Sequence, residues 1–313
     1  MGNKIATREA YGKTLAKIGL ENEQIVVLDA DLSKSTKTAD FKNVCADRFI
    51  NMGIAEGNMM SVAAGLAAAG KTVFASTFAI FAAGRAFEQI RNSICYPKLN
   101  VKVCATHAGI TVGEDGASHQ SVEDLALMRS IPNMTVISPS DAVETEATIK
   151  AVAQYNGPCY VRLGRLPVNI VNSNSDYKFE IGKGVTLKEG TKATIIATGI
   201  MVDEAILASD ILKAEGIDVR VINIHTIKPI DKDIIIKAAK ETKVIITAEE
   251  HSVIGGLGSA VSEVTSEEYP VPVLKVGLMD TFGESGKPME LLKKYNLTAE
   301  EIACKVRKGI SML

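Results

Sequence analysis

Histidine is scarce in this chain, with four residues in 313. Cysteine is scarce as well: Cys45, Cys95, Cys104, Cys159 and Cys304 are scattered, and none stands in a CxxC pair. An odd number of dispersed thiols argues against a zinc site and reads as the mark of a reducing compartment. Neither sign of charge dominates. A formal net charge of -2 gives neither nucleic acid nor a membrane surface a reason to bind. No apolar run is long enough to span a bilayer. The stretch MGNKIATREAYGK has no apolar core, so it does not read as a signal peptide, and Ala6 stands where a myristoylation signal needs Ser or Thr. The expected location is the cytoplasm. The dinucleotide-binding signature GxGxxG is missing too.

What is present is an ordinary soluble composition, 46% apolar and 23% charged. The length suits one large domain or two ordinary ones. Apolar runs alternate with helical patterns. IVVLDAD (25–31), KTVFAS (71–76), VKVCAT (101–106), MTVISPS (134–140) and CYVRLGR (159–165) read as strands. NMMSVAAGLAAAG (58–70), FAAGRAFEQIRNSIC (81–95) and AVETEATIKAVAQY (142–155) read as helices, the last with Asp141 as N-cap and Glu144 three residues on, as in a capping box. Nearly continuous apolar strands alternating with helices predict an α/β fold with parallel sheets covered on both faces. A polar, turn-rich stretch over 172–184 predicts a linker. The rhythm then restarts with ATIIATG (193–199), VRVINI (219–224), KVIITAEE (243–250) and VPVLKVG (271–277) as strands and 201–216 as a helix. Two α/β domains are expected, over 1–171 and 185–313.

Ligands of open α/β sheets bind at the carboxyl ends of strands. GITVGEDGASHQ (109–120) follows such an end, and His107 stands just before it. His107, Glu114, Asp115 and His119 are placed to share a crevice; the plain reading is a connecting loop. A metal site has the right residue types here but no tight ligand spacing. In RFINMGIAEGNMMSVAAGLAAAG (48–70), Glu56 stands at a strand-to-helix junction among small and apolar residues. The plain reading is a carboxylate at a helix N-terminus. The sharper one is a buried acid with a raised pKa, able to share a proton with a buried heterocycle. Phe78 and Phe81 lie at a strand end, suited either to core packing or to stacking on a ligand. DADLSKST (29–36) carries Asp31, Ser33 and Ser35 away from the first strand, and Arg162 and Arg165 end another. The glycines of HSVIGGLGSAV (251–261) read as helix-start packing rather than a phosphate cradle.

Together GIAEGNMMSVAAGLA, TFAIF and THAGITVGEDGASHQSVEDLALMRSIPNMTVISPSD, with the ADL run before them and TIKPID and EEHSVIGGLGSAV after, closely resemble the transketolase family of thiamine-diphosphate enzymes. The resemblance runs along essentially the whole chain. One family element is missing: the GDG motif and following asparagine that hold diphosphate and Mg²⁺. The resemblance therefore implies a pyrimidine-binding domain followed by a transketolase C-terminal domain, the second half of a split enzyme. The length leaves no room for the diphosphate-binding domain. Thiamine diphosphate would be shared with a separate N-terminal subunit that carries GDG and binds Mg²⁺. Two copies of each half would make the symmetric assembly.

The family also implies roles. Glu56 would face the cofactor's aminopyrimidine and promote its imino form, while Phe81 and Phe78 stack on the ring. Gly84 or Arg85 stands where the family often has a tyrosine. Asp31 would lie near the cofactor at a subunit interface. His107, Arg165 and Ser35 would bind the sugar phosphate, with Arg162 as a rival to Arg165. Asp115 would contact a substrate hydroxyl, and His119 the two-carbon glycolaldehyde unit that passes from a ketose phosphate to an aldose phosphate. Other readings are a deoxyxylulose-phosphate synthase, which carries all domains on one chain, and the beta subunit of a 2-oxo-acid dehydrogenase, which usually lacks the GEDGxxHQ loop. Outside catalysis, a regulatory or assembly subunit is opposed by intact Glu56, Asp115 and His119.

Overall fold

The computed structural model describes residues 4–172 and 177–313, so positions 173–176 of the expected linker lie outside the described residues. The apolar runs of the first half become parallel strands. In spatial order they are Thr135–Ile137, Cys159–Arg162, Val101–Thr106, Thr72–Phe78, Ile25–Asp29 and Phe49–Asn51. Every residue of the four central strands is buried, which is why they read as unbroken apolar runs instead of alternating ones. Lys102 is one exception in type. It is fully buried, and its Nζ donates to the carbonyls of Tyr155 and Gly157 at 2.7 and 2.6 Å, so its burial leaves donors satisfied.

Helices cover the sheet. Glu56–Ala68 turns Met59, Met60, Ala63, Ala64 and Ala67 inward, and the alanines let it lie close to the strands. Thr7–Glu21, which is not among the expected helices, buries Tyr11, Leu15 and Ile18 at i, i+4 and i+7. The segment expected as one helix over 81–95 is less regular. It forms two π-helical turns, Phe81–Arg85 and Ile90–Cys95, around Phe87–Gln89. A wider turn brings Arg85 back over Phe81. Helix Ala142–Gln154 is capped by Asp141, whose Oδ1 accepts from the Glu144 N–H at 2.8 Å. The return half of the box is shifted by one residue, because the Glu144 carboxylate accepts from the backbone N–H of Ser140 (2.7 Å) instead.

The second half forms a five-stranded sheet in the order Val273–Leu278, Ile245–Ser252, Ala193–Ala197, Val219–Asn223 and Val185–Lys188. Only the last strand runs antiparallel. One short strand crosses over. Thr226–Lys228 pairs antiparallel with Thr135–Ile137 and completes the edge of the first sheet. Three residues are too few to show a period in the sequence. The linker is tied to the first half through the cap of helix Ala142–Gln154: Asp141 Oδ2 accepts from the N–H groups of Val171 and Asn172, and the Tyr177 hydroxyl donates to Glu144. No helix among the described residues is long and apolar enough to cross a membrane.

Candidate functional site

Five adjacent parallel strands end on one edge of the first sheet, and each delivers residues singled out from the sequence. Ile25–Asp29 leads into Asp31 and Ser35, Phe49–Asn51 into Glu56, Thr72–Phe78 into Phe81, Val101–Thr106 into His107, and Cys159–Arg162 into Arg165. The first loop is fixed by Asp29. Its buried carboxylate accepts from Leu32 N–H (2.6 Å), Thr36 Oγ1 (2.6 Å) and Thr38 Oγ1 (2.8 Å).

At one end of this edge His107 adopts a left-handed φ of 58° and stacks on Phe78 at 3.9 Å between ring centroids. Its Nε2 lies 3.3 Å from Arg8 Nη1 and its Nδ1 lies 2.9 Å from Thr106 Oγ1. Arginine only donates, so Nε2 accepts and the proton sits on Nδ1, donated to Thr106. Burial, with Arg8, Arg165 and His119 nearby, pushes His107 down to about 3, so the ring is neutral near pH 7. Arg8 also donates to the Ser35 carbonyl at 2.9 Å. Arg8 was missed in the sequence: it lies in a helix that carries no motif. It shares a cleft of about 270 Å³ with Arg165, Thr111 and Glu114. Arg165 donates to the Val112 carbonyl and reaches Glu114 Oε2 at 3.2 Å. Arg162 points elsewhere. It is buried, its Nε lies 2.9 Å from Asp124 Oδ2, and its Nη2 donates to the Glu250 carbonyl at 2.9 Å.

At the other end Glu56 is 4% exposed, as expected of a buried acid. The apolar surroundings expected for it need correction, because Arg85 Nη1 stands 3.2 Å from its Oε1. The Arg85 guanidinium lies 4.1 Å over the Phe81 ring. Phe81 in turn is stacked with Phe78 at 5.9 Å and meets the edge of His119 at 5.4 Å. An unbroken string of contacts therefore links Glu56, Arg85, Phe81, Phe78, His107, Arg8 and Ser35, with His119 beside the phenylalanines.

Two expected residues stand apart from this string. Asp115 is exposed at the end of the turn Ile110–Asp115. Asp31, at φ 65°, is clamped by Asn51: its Oδ1 accepts from Asn51 Nδ2 at 2.8 Å and its N–H donates to Asn51 Oδ1 at 3.1 Å. Asn51 also accepts from Gly53 N–H (3.1 Å), joining this loop to the one that carries Glu56. Among the described residues, no three His, Cys, Asp or Glu side chains come together to hold a metal ion. The glycines after His251 cradle no outside anion, since the Glu249 carboxylate accepts from Leu257 and Gly258 N–H at 2.6 and 2.8 Å.

The transketolase pyrimidine binding domain family matches residues 3–169, and the transketolase C-terminal domain family matches residues 182–302. The chain belongs to the transketolase family. Among its transketolase relatives, a chain of Methanocaldococcus jannaschii with the provisional name transketolase C-terminal section is 53% identical over 301 residues, 96% of this chain and 94% of that one. The 6-deoxy-6-sulfo-D-fructose transketolase subunit of Clostridium sp. (strain MSTE9) is 43% identical over 295 residues, 94% of this chain and 91% of that one. A solved split gene transketolase, described as an inactive beta4 tetramer, is 57% identical, superposes with a TM-score of 0.90 and covers 99% of both chains. Longer transketolases match too, and this chain spans about half of their length.

Proposed function

We propose that this chain is the catalytic C-terminal half of a two-chain, thiamine-diphosphate-dependent transketolase. With a separate N-terminal subunit it transfers a two-carbon glycolaldehyde unit from a ketose phosphate to an aldose phosphate. The observation that carries this reading is the string from Glu56 through Phe81 and His107 to Arg8, which joins a buried acid, an aromatic shelf and a phosphate-sized cleft lined by two arginines along one edge.

The residues fit the cofactor's pyrimidine. The flat, cationic N–C–N group of Arg85 rests on Phe81 and pairs with Glu56, and an aminopyrimidine offers the same flat face and nitrogen donors to the same two partners. Thiamine diphosphate, when bound, supplies the carbanion chemistry that side chains lack. Glu56 would share its proton with a pyrimidine nitrogen; Phe81, backed by Phe78, would hold the ring, and Asp31 would border the cofactor. Arg8 and Arg165, with Ser35, would take the sugar phosphate, since a guanidinium fork matches phosphate oxygens. His107 would border the phosphate and orient Arg8, being neutral itself. Asp115 would meet a substrate hydroxyl and His119 the transferred unit.

The chain contains no GDG sequence, so the diphosphate and Mg²⁺ fall to the partner. Two copies of each half are the natural assembly. We assign the pyrimidine-binding domain to 1–171, the linker to 172–184 and the C-terminal domain to 185–313. The described free cysteines, four of them buried, suit a cytoplasmic setting. The relative described as an inactive tetramer supports an isolated chain that does no chemistry.

The test mixes the purified chain with a GDG-bearing N-terminal chain, thiamine diphosphate and Mg²⁺, and follows ketose-to-aldose transfer. Xylulose 5-phosphate and 6-deoxy-6-sulfofructose serve as alternative donors, and pyruvate as the donor for a 2-oxo-acid dehydrogenase. Transfer is expected only from the mixture. Turnover by this chain alone would sink the half-enzyme reading.

A further inference from the structure

Three consecutive side chains of the strand Ile245–Ser252, in the second half, make three different ties. Glu249 holds the start of its own helix, Leu257–Glu268. His251 Nε2 accepts from the Ala126 N–H at 3.3 Å. Glu250 reaches across to the first half. Its Oε1 accepts from the Thr111 N–H at 2.7 Å, and that amide belongs to the loop carrying Asp115 and His119.

The contact is built rather than incidental. Glu250 is 3% exposed, so its hydrogen bond is sheltered from water. Its backbone is fixed independently, because Arg162 Nη2 donates to its carbonyl at 2.9 Å. Gly109 makes room for the carboxylate: a Cβ there would lie 2.2 Å from Glu250 Cδ, and its φ of 81° also favours glycine. The second half grips the far end of the same loop as well. Gln120 Nε2 donates to the Glu284 carbonyl at 2.8 Å, and Ser285 Oγ donates to the Glu114 carbonyl at 2.7 Å. Both ends of the loop are thus held from the C-terminal half.

Resting on the transketolase reading above, we infer that Glu250 is a positioning residue for the sugar substrate. Its carboxylate fixes the turn Ile110–Asp115 and so sets where Asp115 and His119 stand. This gives the C-terminal half a part in the reaction without contact with substrate.

The test compares Glu250→Ala and Glu250→Gln in the assembled two-chain enzyme, with amide hydrogen exchange on this chain alone. Glutamine keeps an oxygen for the Thr111 N–H. The alanine variant is expected to lower kcat/KM by about tenfold, as loss of a buried hydrogen bond would, while thiamine diphosphate affinity is unchanged. Exchange is expected to quicken over 109–121 and not across the core, and glutamine to restore both. If the alanine variant fails to fold, Gly109→Ala separates the same two groups from the other side. Unchanged kcat/KM and exchange, or equal losses in alanine and glutamine, overturn the inference. If the wild-type mixture shows no transfer, the transketolase reading fails by itself. The exchange result in the isolated chain then upholds or overturns the tie.

Discussion

Arg8 and His107 lie 99 positions apart in sequence, yet the Arg8 guanidinium donates to His107 Nε2 across 3.3 Å. The same guanidinium contributes to holding the imidazole down at about 3, after burial. One arginine thereby fixes the tautomer of His107 and adds to the burial that keeps the ring neutral. Replacing Arg8 with alanine should raise the His107 pKa toward its ordinary value, read from NMR titration of the ring. It should also raise KM for the ketose phosphate by about tenfold or more, because a charge-assisted phosphate contact is lost.

Glu56 stands at the start of a helix with a single cationic partner, Arg85. Glu56→Gln keeps the shape and removes the proton exchange. Its expected cost in kcat is on the order of a hundredfold or more, in line with loss of a positioned acid–base group. Binding of thiamine diphosphate, followed by calorimetry, should weaken far less than kcat falls. A near-normal rate in this variant would end the proton-sharing role.

The two neighbouring arginines should separate cleanly. Arg162→Ala leaves Asp124 buried and unpaired, so unfolding free energy should fall by about 3–5 kcal/mol, measured with denaturant. Arg165→Ala removes a half-exposed side chain paired with an exposed Glu114. Its stability should stay within about 0.5 kcal/mol of the parent, while KM for a sugar phosphate rises.

Acid and base act on the stability of this chain in opposite senses. Burial pushes Glu144, Glu249 and Glu250 up to about 7 from 4.5. Each holds more protons folded than unfolded, so its contribution is full below pH 4.5 and is lost as pH rises through 7. Burial pushes His107 down to about 3, and His225 and His251 down to about 4, from 6.5. Their contribution is full above pH 6.5 and is lost as pH falls toward 4 and 3. The two sets offset one another between pH 4.5 and 6.5, so urea midpoints should change little there and drop steeply below pH 4.5. In Glu144→Gln one falling contribution is gone. The stability difference between variant and parent should therefore climb from pH 4.5 to 7.

Much of this was legible in the sequence because local patterns and geometry agree. Doubly covered parallel strands show as unbroken apolar runs, and Asp141 with its Glu144 marked a helix start that the fold keeps. Glu56, Phe78, Phe81, His107 and Arg165 follow strand ends, and strand ends of one parallel sheet converge, so the gathering of these residues on one edge followed from topology. What stayed hidden were relations that no periodicity encodes. Arg8 sits on a helix with no motif and reaches the site only because that helix packs beside the strand ends. Arg162 and Arg165 look alike in CYVRLGR, and only the packing of Asp124 and the second sheet buries the first and leaves the second in the cleft. Arg85 lands over Phe81 because the chain takes a wide π turn where an ordinary helix was expected. The sequence by itself determined the strands, their common direction and the residue types at their ends, because those depend on short-range pattern. The tertiary structure decided which charges are paired, which histidines are neutral and that a glutamate of the second half holds the loop 109–120, because these depend on distances between segments 29 to 139 residues apart.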